Sequence, residues 1–240
     1  NAPTCSVLVP CRNEKGNIEN AVKRLPQFSP DQEVIFIEGH SADGTYEECL
    51  RVQSAYPDRK IKVLRQTGKG KGDAMKLGFS AASGDIVLIL DCDLTVRPED
   101  MPKFYALLAA GRGEFVNGTR LVYPRQEAAM RGLNYLGNRF FAGVFSWLLN
   151  QRLTDTLCGT KAMWRADYER LAAQRAYFGD FDPFGDFDML LGASKLQLKI
   201  VELPVRYYAR EYGSPQISRF RDGFILLRMS LLAWRKLKAI

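Results

Sequence analysis

The sequence predicts a doubly wound α/β fold with a mostly parallel sheet across its first half. Two observations carry that prediction. Four short apolar runs rich in Val, Ile and Leu occur before residue 91, and a segment with helical character separates each from the next. Those segments are also long enough for the crossovers that parallel pairing demands, where an antiparallel neighbour would need only a tight hairpin.

The elements follow in order. "CSVLVP" (5–10) is apolar and β-branched, hence a strand. In "NEKGNIENAVKRL" (13–25), Ile18, Val22 and Leu25 recur at helical spacing behind Asn13, a residue suited to an N-cap. "EVIFIEG" (33–39) is a second buried strand. "TYEECLRVQSAY" (45–56) opens with Thr45 and Glu48 in capping-box register, which starts a helix there. "KIKVLRQ" (60–66) is a third strand, "GDAMKLGFSAAS" (72–83) a helix and "DIVLIL" (85–90) a fourth strand. The second half is less regular. It holds a strand in "EFVNGTRL" (114–121), a long apolar helix over 130–151, a late strand in "KIVELPVRYY" (199–208) and a basic, apolar helix over 218–240. No repeat or low-complexity linker interrupts it.

Composition narrows the function. The chain has 240 residues, enough for a sizeable core, with 46% hydrophobic and 25% charged residues. A net charge of +7 favours anionic partners. Nucleic acid is set aside, because no loop interleaves a basic tract with stacking aromatics. The five cysteines (Cys5, Cys11, Cys49, Cys92, Cys158) are scattered, without a CxxC pair, and read as buried thiols in a reducing compartment. The first ten residues read as a strand and not as a leader, and "NGT" (117–119) carries no weight as a sequon in a cytosolic chain. His40 is the one histidine, so chemistry that needs two is excluded.

In such sheets ligands lie beyond the carboxyl ends of the strands, where loops 10–14, 38–44, 67–72 and 91–95 gather. Asp91 and Asp93 follow the fourth strand and flank Cys92. In an extended segment they point the same way and can share one hard cation, Mg²⁺ or Mn²⁺, with room left for phosphate oxygens. The plainer alternative is a strand-ending Asp turn. Glu38 ends the second strand in the same manner. There a carboxylate accepts hydrogen bonds from a ribose or base, unless it only orders the "SADGT" turn. "TGKGKG" (67–72) sets three glycines and two lysines before a helix, a phosphate cradle without the Walker ending.

Taken together, "VPCRNE" (9–14), "IEGHSADGT" (37–45), "GKGKGDAMKLGF" (68–79), "SGDIVLILDCDL" (83–94), "GTR" (118–120) and "DTLCGTKAMWR" (155–165) resemble the family 2 glycosyltransferases of GT-A fold. Within that family the chain is most similar to the dolichyl- and polyprenyl-phosphate sugar synthases, through Arg120, Arg131 and "REYGS" (210–214). The resemblance implies an inverting displacement at a sugar's anomeric carbon with a nucleotide diphosphate as leaving group. Asp91 and Asp93 would hold Mg²⁺ or Mn²⁺ on that diphosphate. Pro10, Arg12, Glu14, Glu38, Lys71, Asp73, Asp91, Cys92 and Asp93 would bind a GDP- or UDP-linked donor. Arg120, Arg131 and Arg210 would receive an acceptor phosphate. Asp93 and Arg120 are expected to be catalytic, with Asp186 or Asp188 of "FGDFDML" (184–190) as the base a hydroxyl acceptor would need. The alternative for those two is a helix start stabilised by acidic residues.

The expected organisation is a GT-A domain over 1–213, with a donor half (1–120) and an acceptor half (121–213), then a C-terminal amphipathic segment (214–240). In the last helix Arg221, Arg228 and Arg235 form one stripe, and Phe220, Phe224, Leu227, Leu231 and Trp234 a neighbouring apolar one. Arg228 interrupts any apolar run of the ~18 residues that a bilayer span needs. The helix therefore reads as interfacial, at the cytoplasmic, inner face of a membrane, with "FFAGVFSWLL" (140–149) beside it. The alternative is that the two helices bury each other or form a homo-oligomer interface. Three readings follow: sugar transfer to a polyprenyl phosphate, transfer to a hydroxyl, and a non-catalytic nucleotide-sugar-binding protein.

Overall fold

Runs that read as dry on both faces form the centre of the sheet. β1 (Cys5–Cys11) pairs in parallel with β2 (Glu33–Glu38) on one side and β4 (Ile86–Ile89) on the other, and β2 pairs in parallel with β3 (Lys60–Arg65). The computed structural model describes residues 2–123, 132–174, 185–214 and 219–238. Among these, seven strands make one sheet in the order β3-β2-β1-β4-β6-β5-β7. β5 (Phe115–Thr119) and β7 (Ile200–Pro204) pair in parallel. β6 (Lys161–Trp164) is inserted antiparallel between β4 and β5. The sheet is thus mostly parallel, as expected, with one reversed strand that was not.

Helices cover both faces. α1 (Lys15–Arg24), α2 (Thr45–Ala55) and α4 (Met101–Ala109) enclose one core around Val7, Phe36, Leu88 and Phe104. α3 (Gly70–Ala81), α5 (Gly132–Leu149), α6 (Arg165–Ala173), α7 (Asp186–Lys195) and α8 (Arg219–Leu237) enclose the other, around Ile37, Ile89, Phe145 and Phe187. All five cysteines are buried and free.

Two capping expectations fail for the same reason. Asn13 takes a left-handed φ of 54°, and its Oδ1 accepts from Ala42 N, so α1 begins after it. Thr45 lies inside α2, behind Gly44 at φ 83°, and its Oγ1 accepts from Glu14 N. Glu48 pairs with Arg51 instead of closing a capping box. Both polar side chains tie the loop after β1 to the loop after β2, and tertiary bonding overrides the local cap. α3 begins at Gly70, two residues before the expected start, so the second half of the glycine loop is already helix.

Glu33 locks the opposite edge. Its Oε1 accepts from Ser6 Oγ (2.5 Å), Ser83 N (2.8 Å) and Ser83 Oγ (2.8 Å), and Lys62 Nζ lies 2.7 Å from Oε2. Burial works to raise its pKa, but Lys62 and the two serines outweigh burial and bring the carboxyl down to about 2. A pKa depressed in the folded state adds stability above the unfolded value, and that stability is lost as pH falls through the folded one. Glu33→Gln is therefore expected to flatten the loss of stability between pH 4.5 and about 2. Urea melts of both proteins across that window check it.

Candidate active site

All the parallel strands end at one edge. β6, running backwards, begins there, and so do α3 and α7. The β1 and β4 ends are adjacent, which places their following loops at the point where the order of connection reverses.

The aspartates after β4 do not continue the strand. Leu94 N donates to Asp91 O (3.1 Å) and Leu94 takes φ 52°, so 91–94 is a turn. That corrects the extended geometry the spacing suggested. Each carboxylate nevertheless faces a cation. Lys71 Nζ, in the first turn of α3, lies 2.6 Å from Asp91 Oδ1. Arg210 Nη2 lies 2.7 Å from Asp93 Oδ2, while its Nη1 donates to Glu14 Oε1. Asp93 Oδ1 accepts from Thr95 N and Oγ1, as an Asp turn does. Cys92 points the other way, into the core beside Cys11. Its side chain therefore packs in the core.

Charge is concentrated here. Burial works to raise the Asp91 pKa, but Lys71, with Lys161 and Arg120 further off, holds it below the usual carboxylate range. Burial likewise opposes the Lys71 ammonium, and Asp186, Asp91 and Asp93 hold its pKa above normal. Glu14 goes the other way: burial raises its pKa despite Arg210 and Asn17.

The remaining expected donor residues are mostly engaged with their own loops. Glu38 is fully buried, accepting from Ser41 N (2.5 Å) and Arg65 Nε (3.0 Å), bonds that order the 38–44 turn. Asp73 accepts from Gly68 N (3.1 Å) and closes the glycine loop. His40 Nε2 lies 3.1 Å from Gly68 O, joining that loop to the one after β2. Arg12 is exposed past Pro10 at the end of β1. Arg210 belongs to a segment lying across the loop after β1: the Tyr212 hydroxyl reaches Asp43 Oδ2 (3.2 Å), and its ring covers Gly16, where a Cβ would sit 2.5 Å from the ring.

Arg120 has a partner that the sequence did not suggest. Its Nε and Nη2 form a fork on Asp155 Oδ2 (2.7 Å) and Oδ1 (2.9 Å), its own N–H also bonds Asp155 Oδ2 (3.1 Å), and Tyr207 lies under the guanidinium. Asp155 is 0% exposed, which makes the pair a clamp on the 155–160 loop. Breaking a buried pair from one side costs roughly 3–5 kcal/mol. Arg120→Ala is thus expected to lower stability by about that amount, and a urea melt checks it. Arg131 lies outside the described residues. Asp186 begins α7 and pairs with Lys161 Nζ at 3.1 Å. Asp188 is in the same first turn. Sequence reasoning missed Lys161 and the Arg120–Asp155 clamp, although both residues of the clamp stand in quoted motifs.

Among the described residues no group of three His, Cys, Asp or Glu side chains could hold a metal. Asp91 and Asp93 offer oxygen alone, which suits a hard divalent cation whose other ligands come from phosphate and water.

The sequence profile described as "Glycosyl transferase family 2" matches residues 6–171. The chain belongs to glycosyl transferase family 2. This family 2 chain is 25% identical over 232 residues to the low-salt glycan biosynthesis hexosyltransferase Agl6 of Haloferax volcanii, covering 96% of itself and 54% of that protein. It is 33% identical over 120 residues to the dolichol-phosphate mannosyltransferase of Pyrococcus furiosus, covering 49% of itself and 33% of that protein. The chain thus spans about half and a third of the lengths of these two relatives. Its fold matches the glucosyl-3-phosphoglycerate synthase of Mycobacterium tuberculosis, crystallised with Mn²⁺, UDP and glucosyl-3-phosphoglycerate. The TM-score is 0.69 at 18% identity, covering 98% of this chain and 80% of that one.

α5 and α8 complete the picture. They pack together, and Phe141, Phe145 and Leu148 of one and Leu226, Met229 and Ala233 of the other belong to the same core. The predicted stripe of Phe224 (70% exposed), Leu227, Leu231 and Trp234 faces outward, alongside Leu136, Phe140 and Trp147 of α5. The side chains of Phe220 and Arg221 lie outside the described set. Among the described residues no helix is long and apolar enough to cross a membrane.

Proposed function

We propose that this chain transfers a sugar, with inversion, from a nucleotide-diphosphate donor to a polyprenyl phosphate. The observation that supports it most is the pair of carboxylates after β4, each paired with a cation, Lys71 or Arg210, at the common strand edge. Such an edge is built for an anionic ligand carrying its own cation. Asp91 and Asp93 would hold Mg²⁺ or Mn²⁺. Bound there, the ion would neutralise charge on the departing diphosphate. The chain's own residues do the rest. Lys71 and the amide-rich start of α3 receive phosphate oxygens, and Arg210 moves from Asp93 to an anionic partner. Arg12, Glu38 and Asp73 border the nucleoside. Residues 1–120 form the donor half and 121–213 the acceptor half.

The acceptor assignment draws on two features. An acceptor phosphate is already anionic and needs cations, not a base, and Asp186 is committed to Lys161. The outward apolar faces of α5 and α8, with Arg139, Arg228 and Arg235 among them, suit an anionic membrane surface, where a polyprenyl phosphate resides. The dolichol-phosphate mannosyltransferase relative points the same way over half of the chain.

Purified protein with Mn²⁺, a panel of UDP- and GDP-sugars and a short polyprenyl phosphate in anionic vesicles tests the reading. Nucleotide diphosphate release that requires the lipid phosphate is expected. Release that ignores the lipid but responds to a saccharide returns the acceptor to a hydroxyl, with Asp186 or Asp188 as base. Donor binding without any release leaves a non-catalytic nucleotide-sugar-binding protein.

A further inference from the structure

β6 carries a lysine where the sheet is dry. Lys161 is 1% exposed, in register with Ile89 of β4 and Asn117 of β5. Taking an ammonium out of water costs several kcal/mol unless partners compensate. Lys161 Nζ donates to Asp186 Oδ1 (3.1 Å) and to the Cys158 carbonyl.

Both partners lead to Asp91. Asp186 opens α7, and Gly185 before it lies on α3: a Cβ there would stand 3.1 Å from Gly72 Cα. Gly72 belongs to the turn of α3 in which Lys71 bonds Asp91. On the second route, Cys158 is followed by Gly159, whose backbone lies directly against the Asp91 carboxylate and the Lys71 ammonium.

We propose that Lys161 is a positioning residue: it ties the start of α7 and the 158–159 loop to β6, and so holds Lys71 and Asp91 where a donor diphosphate meets them. This rests on the reading of Asp91 as a donor-site residue. Lys161 touches no substrate and acts through Asp186 and Gly159.

Lys161→Met, Asp186→Asn and the double variant test it. In Lys161→Met, kcat is expected to fall about 100-fold, the scale of a misplacement near 1 Å. KM for the nucleotide-sugar should stay within about threefold, because the nucleoside loops stand on β1, β2 and β3. The double variant should be no slower than the slower single one, because both break one link. Its Tm should recover toward wild type, since no buried carboxylate is left unpaired, while kcat stays low. A kcat within threefold of wild type in Lys161→Met, or recovery of kcat together with Tm in the double variant, overturns the proposal. Hydrogen exchange reads the same link without turnover. Peptides covering 69–75 and 157–161 should exchange faster in the double variant, and unchanged exchange overturns the proposal even in an active enzyme. Faster exchange in a protein that transfers no sugar supports the positioning link and removes the proposed function instead.

Discussion

Asp93→Ala is expected to reduce sugar transfer by about 10³-fold in a protein that still melts cooperatively. The carboxylate has two separable duties. Oδ2 faces Arg210 and, on the proposed function, a divalent cation, while Oδ1 organises the turn through Thr95 N and Oγ1. Removing the side chain ends both. The stability cost should stay near 1–2 kcal/mol, because its hydrogen bonds are few and the side chain is 17% exposed, within reach of water. Arg210 keeps its bond to Glu14. Asp93→Asn separates the duties, since its amide oxygen still accepts from Thr95 but the negative charge is gone. Nucleotide diphosphate release should be nearly as low for Asn as for Ala, with a melt closer to wild type. Full release from either variant, with the same Mn²⁺ dependence, would sink the metal assignment.

That prediction can be made from sequence because the information is local. Ile86–Ile89 are buried on both sides, a run of that kind forms a central parallel strand, and the residues after it must emerge at the ligand edge. β6 is the contrary case. "KAMW" is four residues long and begins with a lysine, which read alone belongs on a surface. Its pairing between β4 and β5 makes it a strand, and Asp186, 25 residues on, together with the Cys158 carbonyl makes Lys161 tolerable inside. The Arg120–Asp155 clamp spans 35 residues in the same way. Periodicity reports which face of an element is dry. It does not report which charges meet across the sheet, and for that reason the buried Asp155 partner of Arg120 could not be read from it. Asn13 and Thr45 repeat the lesson at small scale, with caps by composition that serve as links between loops.

Gly159→Ala should cost roughly 10²-fold in turnover, less than Asp93→Ala, from a change of one methyl group. The position calls for no special backbone angle, so the usual reason for a glycine does not apply. What excludes a side chain is proximity. A Cβ on Gly159 would lie inside the contact distance of Asp91 Oδ2 and Lys71 Nζ, and within 2.7 Å of Asp91 Cγ. The backbone on either side has little room to retreat. Asp155 is clamped by Arg120 upstream, and the Thr160 carbonyl accepts from Gly118 N (3.0 Å) downstream. The side chains must therefore move, and the Lys71–Asp91 contact at 2.6 Å must open. Displacing a donor-site carboxylate by about 1 Å is enough for a loss of roughly 10²-fold in turnover. Stability should fall by only about 1–3 kcal/mol, the usual cost of overpacking. The signature that separates this from general damage is a rescue: Lys71→Ala in the Gly159→Ala background relieves half of the collision and should recover part of the lost Tm without recovering turnover. Wild-type turnover in Gly159→Ala would mean that Asp91 tolerates displacement, and would take it out of the donor site.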